Sequence, residues 1–131
     1  MTQARQVGEV MTPNPITVVC TTSLAEAAAV LESKKISGLP VLDESGVLVG
    51  VLSQTDLVRA RANPRLAQNW PGLAVGDIMT KPALTILSTS GLQEAAKVME
   101  ERRVHRLVVI DGKATPIGII STSDLVRSWL R

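Results

Sequence analysis

Gly50-Val51-Leu52-Ser53-Gln54-Thr55-Asp56-Leu57-Val58-Arg59 returns as Gly118-Ile119-Ile120-Ser121-Thr122-Ser123-Asp124-Leu125-Val126-Arg127, 68 positions later. The same offset runs without a gap from Val7/Val75 to Asn63/Arg131, and 21 of those 57 pairs are identical. Others exchange one aliphatic residue or Met for another, as in Val10/Ile78, Leu31/Met99 and Leu42/Ile110. The chain is one unit written twice: repeat 1 over 7–63, a linker over 64–74, and repeat 2 over 75–131. Each copy closes on an apolar strand followed by Ser-x-x-Asp.

The rest of each copy reads outward from that stretch. Val47–Leu52 follows Leu39–Leu42 across Asp43-Glu44-Ser45-Gly46, which predicts a β-hairpin. Ile117–Ile120 follows Leu107–Ile110 across Asp111-Gly112 in the same way. Upstream, Ser23-Leu24-Ala25-Glu26 is a capping box that starts a helix running to about Lys35. Leu24, Ala27, Ala28 and Leu31 make its apolar face, as Leu92, Ala95, Ala96 and Met99 do over Leu92–Arg103. Ile16–Cys20 and Leu84–Leu87 read as short strands. Ser53 and Ser121 open the closing helices, the second over Thr122–Leu130. Val7–Met11 predicts one helical turn, broken by Thr12-Pro13-Asn14-Pro15, and Gly76–Met79 a turn. Met1–Gln6 reads as a loosely docked arm. Each copy is β-α-β-β-α, and the fold class is α/β (α+β). Leu125, Val126, Trp129 and Leu130 gather apolar surface on the last helix, which predicts a partner surface for a second copy of the chain.

Composition narrows the function classes. The 131 residues hold no Phe, no Tyr, two Trp, one Cys and one His, with a net charge of +2. A chain of this length is long enough for one compact domain with a real core, whereas halves of about 60 residues are marginal alone. Nucleic-acid binding is disfavoured: Lys34-Lys35 and Arg102-Arg103 have no stacking aromatic beside them. No apolar run approaches the length of a membrane span, and no signal-peptide pattern opens the chain. Cys20 has no internal disulfide partner, which fits a cytoplasmic protein. Enzyme chemistry finds little support: no Gly-rich phosphate loop and no Cys/His metal set occurs, and a Cys20–His105 pair would be chance proximity. Met11 and Met79 read as core gap-fillers.

The ordered motifs carry a family resemblance. They are Val10-Met11-Thr12-Pro13, Ile36-Ser37-Gly38-Leu39-Pro40-Val41-Leu42-Asp43 and Gly50–Leu57 in the first copy. In the second they are Ile78-Met79-Thr80, Val104-His105-Arg106-Leu107-Val108-Val109-Ile110-Asp111 and Gly118–Leu125. The chain resembles a tandem pair of CBS domains, a Bateman module, over nearly its whole length. The resemblance implies two repeats about a pseudo-twofold axis, a ligand cleft per repeat, and pairing of modules into a disc-like homodimer. It implies AMP, ADP, ATP or S-adenosylmethionine as regulatory ligand, with no obligatory cofactor and no catalysis. The output would then fall to an effector protein, or to the rest of a longer chain.

Site residues follow from both lines of reasoning. A helix start offers N–H groups and positive potential to a phosphate. An ionised Asp only accepts, so it suits a ribose diol. Asp56 and Asp124 are the candidate ribose ligands, with Ser53 and Ser121 beside them. The same Ser-x-x-Asp also serves as a plain capping box. His105 and Arg106 are candidate phosphate contacts, because a guanidinium matches phosphate oxygens and a histidine adds a donor whose charge depends on pH. The alternative is an exposed helix-to-strand connection. Ser37-Gly38 replaces that pair in repeat 1, so the second site ranks above the first. Lys34 or Lys35 could substitute, though both read more simply as solvated charges. The resemblance adds Thr17 and Thr85 as wall residues beside the adenine. Three other readings compete: a structural or oligomerisation module with degenerate sites, a nucleic-acid-binding CBS protein and, ranked lowest, a small hydrolase or transferase.

Overall fold

The computed structural model describes residues 5–130; most of the predicted N-terminal arm lies outside them. The elements are α1 (Val7–Val10), β1 (Thr12–Pro13), β2 (Val18–Val19), α2 (Leu24–Lys34), β3 (Gly38–Leu42), β4 (Leu48–Ser53) and α3 (Gln54–Ala62). Then come α4 (Pro64–Gln68), a 3-10 turn (Trp70–Gly72), α5 (Val75–Ile78), β5 (Thr85–Leu87), α6 (Leu92–Arg102), β6 (Arg106–Ile110), β7 (Pro116–Ser121) and α7 (Thr122–Ser128). They form two compact units. One runs from Ile16 to Ala83; the other joins the residues up to Pro15 to those from Leu84 onward.

In the Ile16–Ala83 unit the sheet order is β2-β3-β4. β2 and β3 are parallel and are joined by α2; β3 and β4 form the antiparallel hairpin. The other unit repeats this with β5, β6 and β7 and adds β1 at its edge, antiparallel to β7. Both hairpin turns are held by an aspartate. Asp43 accepts from the N–H groups of Ser45 and Val47 at 2.8 and 2.9 Å. Asp111 accepts from Lys113 and Thr115, both at 2.9 Å. The bonds from Thr115 and then Lys113 hold the Asp111 carboxyl below its ordinary pKa. Ser23 caps α2 as predicted, its side chain accepting from Glu26 N–H at 3.1 Å.

Each core is aliphatic and lies between one sheet face and its helices. Leu24, Ala27, Leu31, Leu39, Val41, Leu52 and Val75 fill one. Ala95, Met99, Leu107, Val109, Ile120, Leu125 and Val7 fill the other. Val7 belongs to repeat 1 by sequence yet completes the core around repeat 2, and Val75 does the reverse. The two entry segments bond in matching ways. Val7 N–H donates to Ser90 O and Gly8 N–H to Ser88 O, both at 2.8 Å. Val75 N–H donates to Thr22 O at 2.8 Å and Gly76 N–H to Cys20 O at 2.9 Å. The turn expected at Gly76–Met79 is the short helix α5, whose N-terminal Asp77 accepts from Ala74 N–H at 2.8 Å.

Gly118 lets β1 approach β7. A Cβ there would lie 2.9 Å from the Thr12 carbonyl oxygen and closer still to Met11 Sδ. Gly118→Ala is expected to lower stability by about 1–3 kcal/mol, the usual range for overpacking. Thermal unfolding beside Gly72→Ala checks this, because a Cβ at Gly72 meets nothing. Equal melting points for the two variants would contradict the close approach.

The linker is ordered. Trp70 and Leu73 pack on the repeat 1 core, and the Arg61 guanidinium lies 5.0 Å from the Trp70 ring centroid. The predicted stripe of the last helix divides. α7 ends at Ser128; Leu125 enters the core, while Val126, Trp129 and Leu130 stay exposed.

Candidate ligand site

Both Ser-x-x-Asp motifs stand where a strand passes directly into a helix, β4 into α3 and β7 into α7. Ser53 and Ser121 keep extended backbone angles, and each forms a full capping box with its aspartate. Asp56 Oδ2 accepts from Ser53 N–H at 2.9 Å and from Ser53 Oγ at 3.0 Å. Its Oδ1 accepts from Arg59 Nη1 at 3.3 Å and from Thr80 Oγ1 at 2.9 Å. Asp124 Oδ2 accepts from Ser121 N–H at 2.8 Å and from Ser121 Oγ at 3.0 Å. Its Oδ1 accepts from Arg127 Nη1 at 3.2 Å. The two carboxylates are the buried charged residues of the described chain, Asp56 4% and Asp124 7% exposed.

Such burial of a carboxylate is sustained by hydrogen bonds. The Arg partners are themselves mostly exposed, so water screens those ion pairs and little stability resides in them. The capping role is therefore present at both positions. It also uses up most of the helix start. Three of the four N–H groups that open α7 already have acceptors: Ser121 on Asp124, Thr122 on His105 O, and Asp124 on Ser121 Oγ. Ser123 is the remaining one. In α3 the corresponding bonds run from Ser53, Gln54 and Asp56, which leaves Thr55.

The strand register gathers further candidates. Arg106 stands opposite Ser121 across β6 and β7, and Thr85 stands opposite Val108 across β5 and β6. Residues two apart on a strand share a face. Thr85, Arg106 and Ser121 therefore lie on one sheet face, opposite the one that carries Leu107, Val109 and Ile120 into the core. Arg106 is half-buried, and burial lowers its pKa from the ordinary arginine value because a cation loses solvation there; guanidinium groups stay charged even so. Gly38 holds the corresponding place opposite Ser53 in repeat 1. Thr17 lies just ahead of β2 and is half-buried.

His105 is placed elsewhere. It is exposed and lines a groove of about 800 Å³ between α6 and α7 with Glu100, Arg103 and Trp129. Asp124 lines a separate depression of about 160 Å³ with Arg5, Glu9 and Arg127. Thr80, Arg59 and Arg127 lie within the quoted motifs but are not among the site residues that the sequence singles out. Asp-x-x-Arg is identical in both copies and spaced to meet on one helix face, which is the signal that could have found the arginines. Among the described residues no group of three or more His, Cys, Asp or Glu is arranged to hold a metal ion. None of their helices is long and apolar enough to cross a membrane.

Duplicated β-α-β-β-α units closing on Ser-x-x-Asp define a class, and the sequence profile of the CBS domain matches residues 7–63 and 75–131. The chain belongs to the CBS-domain family and carries two copies of the domain. It is 32% identical to the chloroplastic CBS domain-containing protein CBSX2 of Arabidopsis thaliana, over 95% of this chain and 63% of that protein. Its fold matches a crystal structure of CBSX2 in complex with AMP, with TM-score 0.84 and 37% identity over 96% of both chains. It also matches the CBS domain pair of protein MJ0100 in complex with 5′-methylthioadenosine and S-adenosyl-L-methionine. There the TM-score is 0.84 and identity 28% over 97% of both chains. The chain also aligns with 25% of the length of an inosine-5′-monophosphate dehydrogenase from Nitrosopumilus maritimus.

Proposed function

We propose that this chain is a regulatory CBS pair whose ligand is an adenosyl compound: AMP, ADP, ATP or S-adenosylmethionine. The observation that carries the proposal is Asp124, a buried carboxylate held rigid by Ser121 beside a charged depression. A preorganised acceptor of this kind binds a ribose hydroxyl without first paying to order itself. Ser121 sets its direction. Arg106, on the same sheet face as Ser121 and Thr85, supplies positive charge for a phosphate, and Thr85 borders the base. Asp56, Ser53 and Thr17 are the matching set of repeat 1. The complexes of CBSX2 with AMP and of MJ0100 with S-adenosylmethionine support the ligand class. The exposed Val126, Trp129 and Leu130 are the face offered to a second copy, or to the effector protein that reads the ligand state. A ligand moves such an equilibrium only by its differential affinity for the two states.

Thermal unfolding of nucleotide-stripped protein tests this, with AMP, ADP, ATP and S-adenosylmethionine as ligands and GTP as control. At 100 times its dissociation constant a ligand adds about 2.7 kcal/mol. For a domain of this size that raises the midpoint by about 5 °C or more. A rise with an adenosyl ligand and none with GTP is the expected result. No rise with any of them would leave the structural, oligomerising module as the better reading.

A further inference from the structure

We propose that Thr80 closes the carboxylate of repeat 1 to ribose, so that the chain binds one adenosyl ligand, at Asp124. This rests on the ribose-binding reading above. A carboxylate has about four acceptor positions, two on each oxygen. Asp56 receives four donors: Ser53 N–H, Ser53 Oγ, Arg59 Nη1 and Thr80 Oγ1. Among the described residues Asp124 receives three: Ser121 N–H, Ser121 Oγ and Arg127 Nη1. One acceptor position is therefore open at Asp124, and none at Asp56.

The difference lies in one side chain. The repeat offset makes Thr12 the counterpart of Thr80. Their backbones are placed alike, since Thr12 pairs with Ile119 on β7 and Thr80 with Val51 on β4. Thr80 Oγ1 reaches Asp56 at 2.9 Å, whereas Thr12 makes no such bond to Asp124 among the described residues. A threonine hydroxyl is chemically what a ribose hydroxyl offers, an aliphatic O–H donor. Being tethered, it loses no translational freedom on binding, and an incoming ligand must displace it. Thr80 thus determines how many ligands the chain accepts, without touching the ligand itself.

Isothermal titration with AMP and with S-adenosylmethionine tests this on the full chain. The proteins are the wild type, Thr80→Val, Thr80→Ser, Asp124→Asn and the double variant Thr80→Val/Asp124→Asn. Valine keeps the shape and removes the hydroxyl; serine keeps the hydroxyl. The wild type and Thr80→Ser are expected to take one ligand per chain, and Thr80→Val a second. The double variant is expected to bind about tenfold more tightly than Asp124→Asn, the value of one hydrogen bond to a charged acceptor. Two ligands per chain in the wild type would overturn the role of Thr80 and leave the ribose reading intact. So would unchanged binding in Thr80→Val. Failure of the wild type to bind either compound would remove the ribose reading, and the inference with it.

Discussion

Asp124→Asn is expected to abolish most of the stabilisation that an adenosyl ligand gives. The amide keeps the size of the carboxylate, and its oxygen can still accept from Ser121 N–H. Its nitrogen cannot accept at all. It must therefore lose either both Ser121 bonds, which share Oδ2, or the Arg127 bond together with the position open to ribose on Oδ1. A hydrogen bond to a charged group is worth about 1.5–3 kcal/mol, or 10- to 100-fold in affinity. The ligand-induced rise in melting temperature should then fall below half its wild-type size. The ligand-free protein should lose about 1 kcal/mol from the weakened cap. Asp56→Asn is the internal control, because it damages the matching cap of the other repeat. It should cost at least as much without ligand, since Asp56 also holds the Thr80 bond, and keep the full rise with it. A rise retained in Asp124→Asn would remove that carboxylate from the site.

Leu107→Ala carries the largest expected effect on stability, a loss of about 2–5 kcal/mol. Leu107 is 1% exposed and packs among Val109, Ile120, Leu125 and Met99. No Phe or Tyr occurs in the chain, and Met99 is the one unbranched side chain among these neighbours that can shift towards the void. Small, branched side chains fixed on two strands leave a cavity largely uncollapsed. Urea denaturation checks this through a lower midpoint at an unchanged m-value. Leu87, 46% exposed on the same sheet, should tolerate alanine with a change under about 0.5 kcal/mol. Similar losses at both positions would mean that the core is misassigned.

The hairpins and the long helices were legible because their determinants are local. Asp-rich turns, a Ser cap and an i, i+3, i+4 apolar face all lie within one element. What escaped depends on partners distant in sequence. β1 is two residues long and contains Pro13; its strand character comes from β7, more than 100 positions away. Thr80 lies 24 residues from Asp56, and no periodicity links them. The apolar residues of the last helix divide between core and surface for another reason. Leu125 and Val126 are neighbours in sequence and so about 100° apart on the helix, and only Leu125 reaches the core. Trp129 sits at the C-cap, beyond the last full turn. At the site, Ser-x-x-Asp was visible as a motif, but its two oxygens look alike in sequence. Which of them still has room for a ligand depends on the donors around it.

The exchange of entry segments bears on how such a protein can arise by gene duplication. Val7 and Val75 each complete the core formed around the other repeat. The seams of the folded units fall at Pro15/Ile16 and Ala83/Leu84, not within the linker between the repeats. A gene encoding a single repeat would make a chain whose own arm belongs to a neighbour. It would be complete only as two molecules, each lending its arm to the other. Fusing two such genes in tandem turns that loan between molecules into a bond within one chain, and frees each copy to drift. The Thr80 bond that Asp56 holds and Asp124 lacks is a difference of the kind that such freedom permits.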